Sequence, residues 1–192
     1  MKKALFVIAI VATAVALVSC GNKQGKGQAA PSGKDKAEAA LPAGFKTFDF
    51  ANFSISLPEE FTTSYGADSD NVSFSSEAML TLSDGEEVSS SANVNCGFMT
   101  GGAKPAQLKE TAANLKLGQE ATGEVCDEPK ISGNTITMRH YYENDGYKVI
   151  TWRWWIVSED GRNIAGNIYF PDTQAQFYEP VVDAIVKSIK FK

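Results

Sequence analysis

The segment TWRWWIV at residues 151–157 contains all three tryptophans of the chain and constrains the fold most. Successive side chains of a β-strand point to opposite faces, so Trp152 and Trp154 share one face and Trp155 lies on the other. A strand over residues 147–158 is then largely apolar on both faces. This pattern is typical of a central strand whose two faces are both packed against other elements of the protein. We therefore expect a sheet with a packed layer on each face.

Two turns that contain Asp-Gly divide the C-terminal half into three long strands. They are NDG at residues 144–146 and EDG at residues 159–161. Asp-Gly is a strong hairpin signal, so these strands are expected to run antiparallel. Shorter stretches with a hydrophobic period of two precede them. The predicted strands are residues 45–50, 53–57, 72–75, 79–82, 93–99, 135–143, 147–158 and 162–170.

Helical periodicity occurs in two places. Residues 104–118 carry Leu108, Ala112 and Leu115 at helical spacing, and residues 173–188 form a second amphipathic pattern. These two helices are natural covering layers for the sheet, one on each face in the simplest arrangement. The sequence therefore predicts an α+β domain in which an antiparallel β-sheet is sandwiched between helices.

The N-terminal segment carries an export signal. Lys2 and Lys3 precede an uncharged apolar run that is short for a membrane span, and the run ends in LVSCG. This ending resembles the lipobox of bacterial lipoprotein precursors, in which the cysteine becomes the acylated first residue of the mature chain. Residues 1–19 are thus predicted to be a lipoprotein signal peptide and Cys20 the lipidated residue. The alternative is an ordinary secretory signal peptide with an incidental cysteine.

Residues 20–42 are predicted to be the lipidated cysteine and a flexible tether. They are rich in Gly, Lys, Gln and Ala and poor in large apolar residues, so they cannot bury enough surface to fold. Their r.m.s. reach would be roughly 25 Å. The globular domain is predicted over residues 43–192. It would lie in the bacterial cell envelope outside the cytoplasm, with a membrane as one partner through the lipid on Cys20.

Export would place Cys96 and Cys126 in an oxidising compartment. A disulfide between them would stabilise the domain by about 3 to 4 kcal/mol in the chain-entropy model. Two buried free thiols are the alternative, because only the positions of the Cα and Cβ atoms can permit the bond.

Patterns typical of enzymes and metal sites are scarce. His140 is the only histidine, so a histidine-rich metal site is excluded and a Ser-His-Asp triad has one possible base. Asp68 and Asp70 begin a stretch like a calcium loop, but Val72 stands where a ligand is required. We expect no catalytic residue, no metal and no cofactor. The net charge of −5 and the scattered basic residues predict no nucleic-acid partner.

Three packing patterns carry a family resemblance. They are FDF at residues 48–50 followed by FSISLP at residues 53–58, the late long strands with tight turns, and PVVDAIVKSIKF at residues 180–191. In these patterns the domain resembles the PsbP-like superfamily, which includes the PsbP subunit of photosystem II, a nuclear-import factor that binds the Ran GTPase, and bacterial envelope lipoproteins of the DcrB type. The resemblance implies a sheet between helices and a non-enzymatic role with protein partners. It implies no site residues.

The sequence favours a non-catalytic, lipid-anchored envelope protein that presents this domain to a protein partner or scaffolds a complex. The alternative is a small-ligand or glycan-binding lipoprotein that uses the aromatic hairpin of residues 141–155. Exposed rings with polar groups around them would form such a site. Arg153 requires a carboxylate or water, and Glu143 is its candidate partner across the hairpin. The candidate ligand-binding residues are Tyr142, Tyr147, Arg153 and Trp155.

Overall fold

The computed structural model describes residues 42–66, 70–144 and 146–192, without the side chains of Asn144 and Tyr147. The predicted signal peptide, the lipidated Cys20 and the tether up to residue 41 lie outside these residues, as does Asp68. The predictions made for them stay predictions. In the described part of the chain, no helix combines the length and the apolar character that crossing a membrane requires.

The described residues form β-strands and short helices in the following order. The strands are β1 Phe45–Asp49, β2 Phe53–Pro58, β3 Phe61–Tyr65, β4 Asn71–Ser76, β5 Met79–Thr81, β6 Glu87–Ser89, β7 Asn93–Met99, β8 Val125–Cys126, β9 Lys130–Ser132, β10 Thr135–Asn144, β11 Tyr147–Val157, β12 Asn163–Pro171 and β13 Lys190–Phe191. The α-helices are α1 Leu108–Glu120, α2 Ala175–Tyr178 and α3 Val182–Ser188.

The main sheet is antiparallel and has eight strands, in the order β3-β4-β7-β12-β11-β10-β8, with β9 also paired to β10. The strand that carries the tryptophans, β11, therefore lies between two long neighbours, as its apolar faces predict. A smaller sheet has the order β1-β2-β13, and β5 pairs with β6. The hairpin between β10 and β11 places Asn144 opposite Tyr147, and Gly146 takes a φ of 78° there.

Each face of the main sheet is covered by different material. Trp154 is 1% exposed and belongs to the larger core, together with the small sheet and the C-terminal helices. Trp155 lies on the other face, where it packs against a second cluster that includes Leu108 and Ala112 of α1. Helix α1 packs on β8, β9 and β10. The predicted fold class, an α+β sandwich of an antiparallel sheet between helices, is confirmed.

The C-terminal helix is interrupted, which the periodicity of residues 173–188 did not predict. A 3-10 turn at Glu179–Val181 separates α2 from α3. Pro180 lies in this turn, and proline has no backbone N–H and clashes with the preceding helical turn. The hydrophobic side chains keep their inward direction, because Tyr178, Val182 and Ile185 are all buried.

Candidate functional site

A row of polar side chains crosses the sheet face that carries α1, on strands beside those that α1 covers. In register, Ser73 of β4 lies opposite Asn95 of β7, Asn95 opposite Asn167 of β12, and Asn167 opposite Arg153 of β11. Residues directly opposite each other in an antiparallel pair point to the same face. The four side chains, which we call the polar row, therefore lie side by side across four strands.

Hydrogen bonds link three members of the polar row. The Ser73 hydroxyl donates to the Asn95 side-chain oxygen at 2.7 Å, and the Asn95 amide donates to the Asn167 side-chain oxygen at 3.1 Å. These bonds fix the orientation of both amides. The row therefore presents donors and acceptors in a fixed arrangement. A ligand that binds them does not incur the entropy cost of ordering these side chains.

The polar row forms the floor of a groove of about 340 Å³. The next row along the strands contains the small residues Gly97 and Ala165, which leave space above the sheet. Tyr65 and Met99 also line the groove, and they are 73% and 36% exposed. The groove thus combines a polar floor with large, accessible apolar side chains, which is the usual composition of a binding site.

Trp155 lines the groove and is held by a buried asparagine. Its indole N–H donates to the side-chain oxygen of Asn163 at 2.7 Å. Asn163 is fully buried, and its amide donates to the carbonyls of Ala103 at 2.9 Å and Gly161 at 3.2 Å. Every polar group of this side chain is therefore paired, and the pairing sets the direction of the indole ring.

Arg153 has no internal counter-ion among the residues that the structure describes. Its Nε is buried without a hydrogen-bond acceptor, and its strand partners are Met138 and Asn167. The predicted partner Glu143 is wrong, because it lies opposite Lys148, five residues away along β11. A carboxylate at that distance along the strand cannot pair with the guanidinium.

His140 lies on the same sheet face, in the row beside Arg153, and is 2% exposed. Its Nδ1 contacts a carboxylate oxygen of Glu124, which lies in the turn between α1 and β8, and its Nε2 is buried without a partner. Burial lowers the pKa of His140, and the positive charge of Arg153 acts in the same direction against the raising effect of Glu124. The neutral ring is therefore the native form, with Nδ1–H donating to Glu124.

This arrangement predicts a pH dependence of stability. Because the pKa of His140 is lower in the folded protein than its ordinary 6.5, the unfolded chain binds more protons as the pH falls below 6.5. The free energy of unfolding should decline through that window by up to about 1.4 kcal/mol per pH unit. Urea unfolding at pH 7.5, 6.5 and 5.5 measures it. The His140→Gln variant should show a flatter profile, and an unchanged profile would contradict this role.

Comparison with known proteins identifies the fold. No protein-family model matches the chain, and no curated protein matches it. Among solved structures, the Ran-binding protein Mog1p of Saccharomyces cerevisiae superimposes with a TM-score of 0.55 at 12% identity, over 79% of this chain and 96% of that one. Cyanobacterial PsbP (CyanoP) from Synechocystis gives a TM-score of 0.50 at 10% identity, over 80% and 96%. The fold is PsbP/Mog1-like. At these identities, the likeness concerns the fold alone.

In the PsbP/Mog1-like domain, two of the three predicted ligand-binding residues whose side chains the structure describes lie together. Arg153 and Trp155 both line the groove. Tyr142 is 48% exposed, but in the sheet it lies opposite Val149. Val149 is six residues from Trp155 along β11, which corresponds to a distance of roughly 20 Å. The side chain of Tyr147 lies outside the described set. Tyr142 therefore does not join Trp155 in one aromatic platform.

Sequence reasoning missed the neutral members of the groove in this PsbP/Mog1-like domain. Ser73, Asn95 and Asn167 each occupy an outward position on a strand of alternating polarity. Alternation alone indicates a solvated face. Asn163, which holds Trp155, was also missed, and a polar residue that directly follows a turn gives no sign that it is buried.

The two cysteines of the domain are free thiols, so the possible disulfide is wrong. Cys96 lies on β7 and Cys126 on β8, with β12, β11 and β10 between them, roughly 19 Å at the usual strand spacing. A disulfide requires Cα atoms within about 7 Å. Burial raises the pKa of the Cys96 thiol to about 12, so it stays protonated and unreactive. The described residues include no group of three or more His, Cys, Asp or Glu placed to hold a metal.

Proposed function

We propose that this protein is a non-catalytic binding protein, anchored in a bacterial envelope by lipid on Cys20, whose PsbP/Mog1-like domain binds a segment of a partner protein in the groove. The observation that carries the proposal is the polar row, which leaves ordered amides and an uncompensated Arg153 facing an open groove edged by Tyr65 and Met99. Arg153 is partly buried, and leaving such a cation without a counter-ion is unfavourable, which a bound partner would relieve.

The groove chemistry supports binding rather than catalysis. Among described residues, its lining contains amides, two hydroxyls, a thiol, a thioether, aromatic rings and one guanidinium, but no carboxylate and no histidine. General acid–base catalysis needs a group that titrates near the working pH. The Ser73 hydroxyl donates to Asn95 and so has no adjacent base. Cys96, which borders the groove, has a thiol pKa of about 12.

The shape and composition of the groove support a protein partner. Amide side chains spaced by the strand separation offer hydrogen bonds to an extended chain, while Tyr65, Met99 and Trp155 offer apolar contact. Aromatic residues and methionine are enriched in protein interfaces. The name of Mog1p, a Ran-binding protein, describes another domain of this fold that binds a protein. The predicted tether would let the domain reach such a partner away from the membrane.

Site-specific photo-cross-linking in intact cells tests this function. Tyr65 is replaced by p-benzoylphenylalanine, and Leu117, which is 62% exposed on α1, receives the same residue as a matched control. We expect one protein adduct from position 65 and none from position 117. The adduct should disappear when Ala165→Trp places an indole in the groove. Adducts that persist with Ala165→Trp, or that form equally from position 117, would contradict a groove-bound partner.

The alternative function is binding of a glycan or small ligand. The presence of Trp155 beside Arg153 in the groove favours it, because stacking on indole is common in such sites. Tyr142 lies outside the groove, which weakens the glycan hypothesis because that hypothesis relied on the aromatic residues of the hairpin acting together. If position 65 gives no protein adduct while the purified protein shows groove-dependent quenching of tryptophan fluorescence by a glycan, this alternative replaces the first.

A further inference from the structure

Arg153 gives the groove its electrostatic character. Of the described residues that line the groove, it is the only charged one, in a chain whose net charge is −5. The two ends of the polar row differ for this reason, since Ser73 is neutral and Arg153 carries a full positive charge. Neutral amides between them do not compensate that charge.

The guanidinium is available to a ligand. The Nε is buried without an acceptor, whereas the two terminal nitrogens are not among the buried unpaired atoms and form no hydrogen bond in the described structure. Partly burying a cation without a counter-ion is unfavourable. A carboxylate that binds the terminal nitrogens would relieve this cost, because guanidinium and carboxylate match in geometry and charge.

The surroundings of Arg153 indicate what else the ligand carries. Asn167 lies directly beside Arg153 and is hydrogen-bonded to Asn95, so oriented amides continue away from the charge. On the same face, two residues along β11, Trp155 presents an indole fixed by its bond to Asn163. A ligand that meets the charge therefore also meets an apolar surface on one side and amide groups on another.

We propose that the groove recognises an acidic segment of the partner protein, in which a glutamate or aspartate side chain binds Arg153 and a neighbouring apolar side chain packs on Trp155. This inference rests on the proposed function and adds the chemistry of the bound segment. The extended backbone of the segment hydrogen-bonds to the Asn95 and Asn167 amides. The ligand is a peptide, and the contact that selects it is one carboxylate with one guanidinium.

Peptide selection followed by a double-mutant cycle tests the inference. A phage-displayed library of random heptapeptides is selected on the full-length protein in detergent micelles. Phage that also bind the Ala165→Trp protein are removed as background, because they do not depend on the groove. We expect the enriched peptides to share an acidic residue next to an apolar one. Affinities are then measured by calorimetry for one enriched peptide and its Glu→Gln (or Asp→Asn) form, each with the wild-type protein and with Arg153→Gln.

The wild-type protein should lose roughly 10- to 100-fold in affinity when the peptide carboxylate becomes an amide, as for a hydrogen bond between charged groups. The same change should have almost no effect with Arg153→Gln. Arg153→Lys should recover part of the difference, since it keeps the charge without the planar fork. Lys109→Gln, which removes an exposed charge from α1, should behave as wild type. Melting curves of all variants establish that they are folded.

The outcomes separate the two proposals. Groove-dependent peptides without an acidic residue, or an equal loss with wild type and with Arg153→Gln, would overturn the inference and leave the groove as a protein-binding site. The effect of replacing the peptide carboxylate by an amide is measured with the wild-type protein. This measurement can therefore contradict the inference even if Arg153→Gln does not fold. Failure to enrich any groove-dependent peptide would overturn both proposals.

Discussion

Gly166→Ala is expected to lower the free energy of unfolding by about 3 kcal/mol, as overpacking against rigid neighbours does. Gly166 of β12 lies directly opposite Trp154 and Cys96. A Cβ at this position would lie 2.4 Å from the backbone oxygen of Asn95 and 2.6 Å from a ring carbon of Trp154. Neither neighbour can move freely, because Asn95 belongs to the central sheet and Trp154 is fully enclosed. Urea unfolding monitored by circular dichroism measures the loss.

The matched control is the same substitution in α1. Gly118 is exposed, and nothing lies within 4 Å of the position that its Cβ would take. Alanine in place of glycine in a helix should stabilise by about 0.5 to 1 kcal/mol. Similar stabilities of the two variants would show that the Trp154 ring does not rest on Gly166, and the description of the larger core would then need revision.

Asn163→Asp is expected to destabilise the protein by about 3 kcal/mol at pH 7, although it changes only an amide to a carboxylate. Both hydrogen bonds that the amide donates, to the carbonyls of Ala103 and Gly161, would be lost, and a charge would be buried against two oxygens. Burial raises the pKa of an acid. The difference from wild type should therefore shrink between pH 7 and pH 5, which urea unfolding at both pH values tests.

Asn134→Asp is the control for this substitution. Asn134 is exposed, so the same chemical change should alter the free energy of unfolding by less than about 0.5 kcal/mol. The Asn163 variant should also show altered tryptophan fluorescence, because Trp155 loses the orientation of its hydrogen-bond partner. If Asn163→Asp were as stable as wild type, the buried network behind Trp155 would not exist as described.

The two faces of β11 explain why one short segment serves both the core and the groove. Trp154 points into the larger core and is almost fully enclosed, whereas Arg153 and Trp155 point to the face that α1 covers only in part. Helix α1 packs on β8, β9 and β10, so the same face remains open over β4, β7 and β12. The groove exists because α1 lies over one side of this face only.

The fold could be predicted well because its signals are local. The alternation of Trp152, Trp154 and Trp155 identifies a covered interior strand, and Asp-Gly turns identify its antiparallel neighbours. The break at Pro180 was missed although its cause is local, since the strong hydrophobic period on both sides outweighed it. The short strands β8, β9 and β13 were missed because two or three residues give no period.

The groove could not be predicted in the same way, since its members are distant in sequence. Asn95 meets Ser73 across 22 residues and Asn167 across 72. No period or motif connects such positions, and only the strand order makes them neighbours. The predicted Arg153 partner failed for a different reason, because the hairpin register, which its turn sets locally, pairs Glu143 with Lys148 and Arg153 with Met138.

The amino-acid sequence by itself determined the class of fold and the central place of the tryptophan strand, because hydrophobic period and turn chemistry act over a few neighbouring residues. Tertiary structure alone decided that Cys96 and Cys126 stay apart, that Asn163 is buried behind Trp155, and that Arg153 faces an open groove. These outcomes depend on which strands are adjacent and, for the groove, on which strands α1 covers. Those are properties of the assembled sheet, where contacts between distant residues set the environment of every side chain.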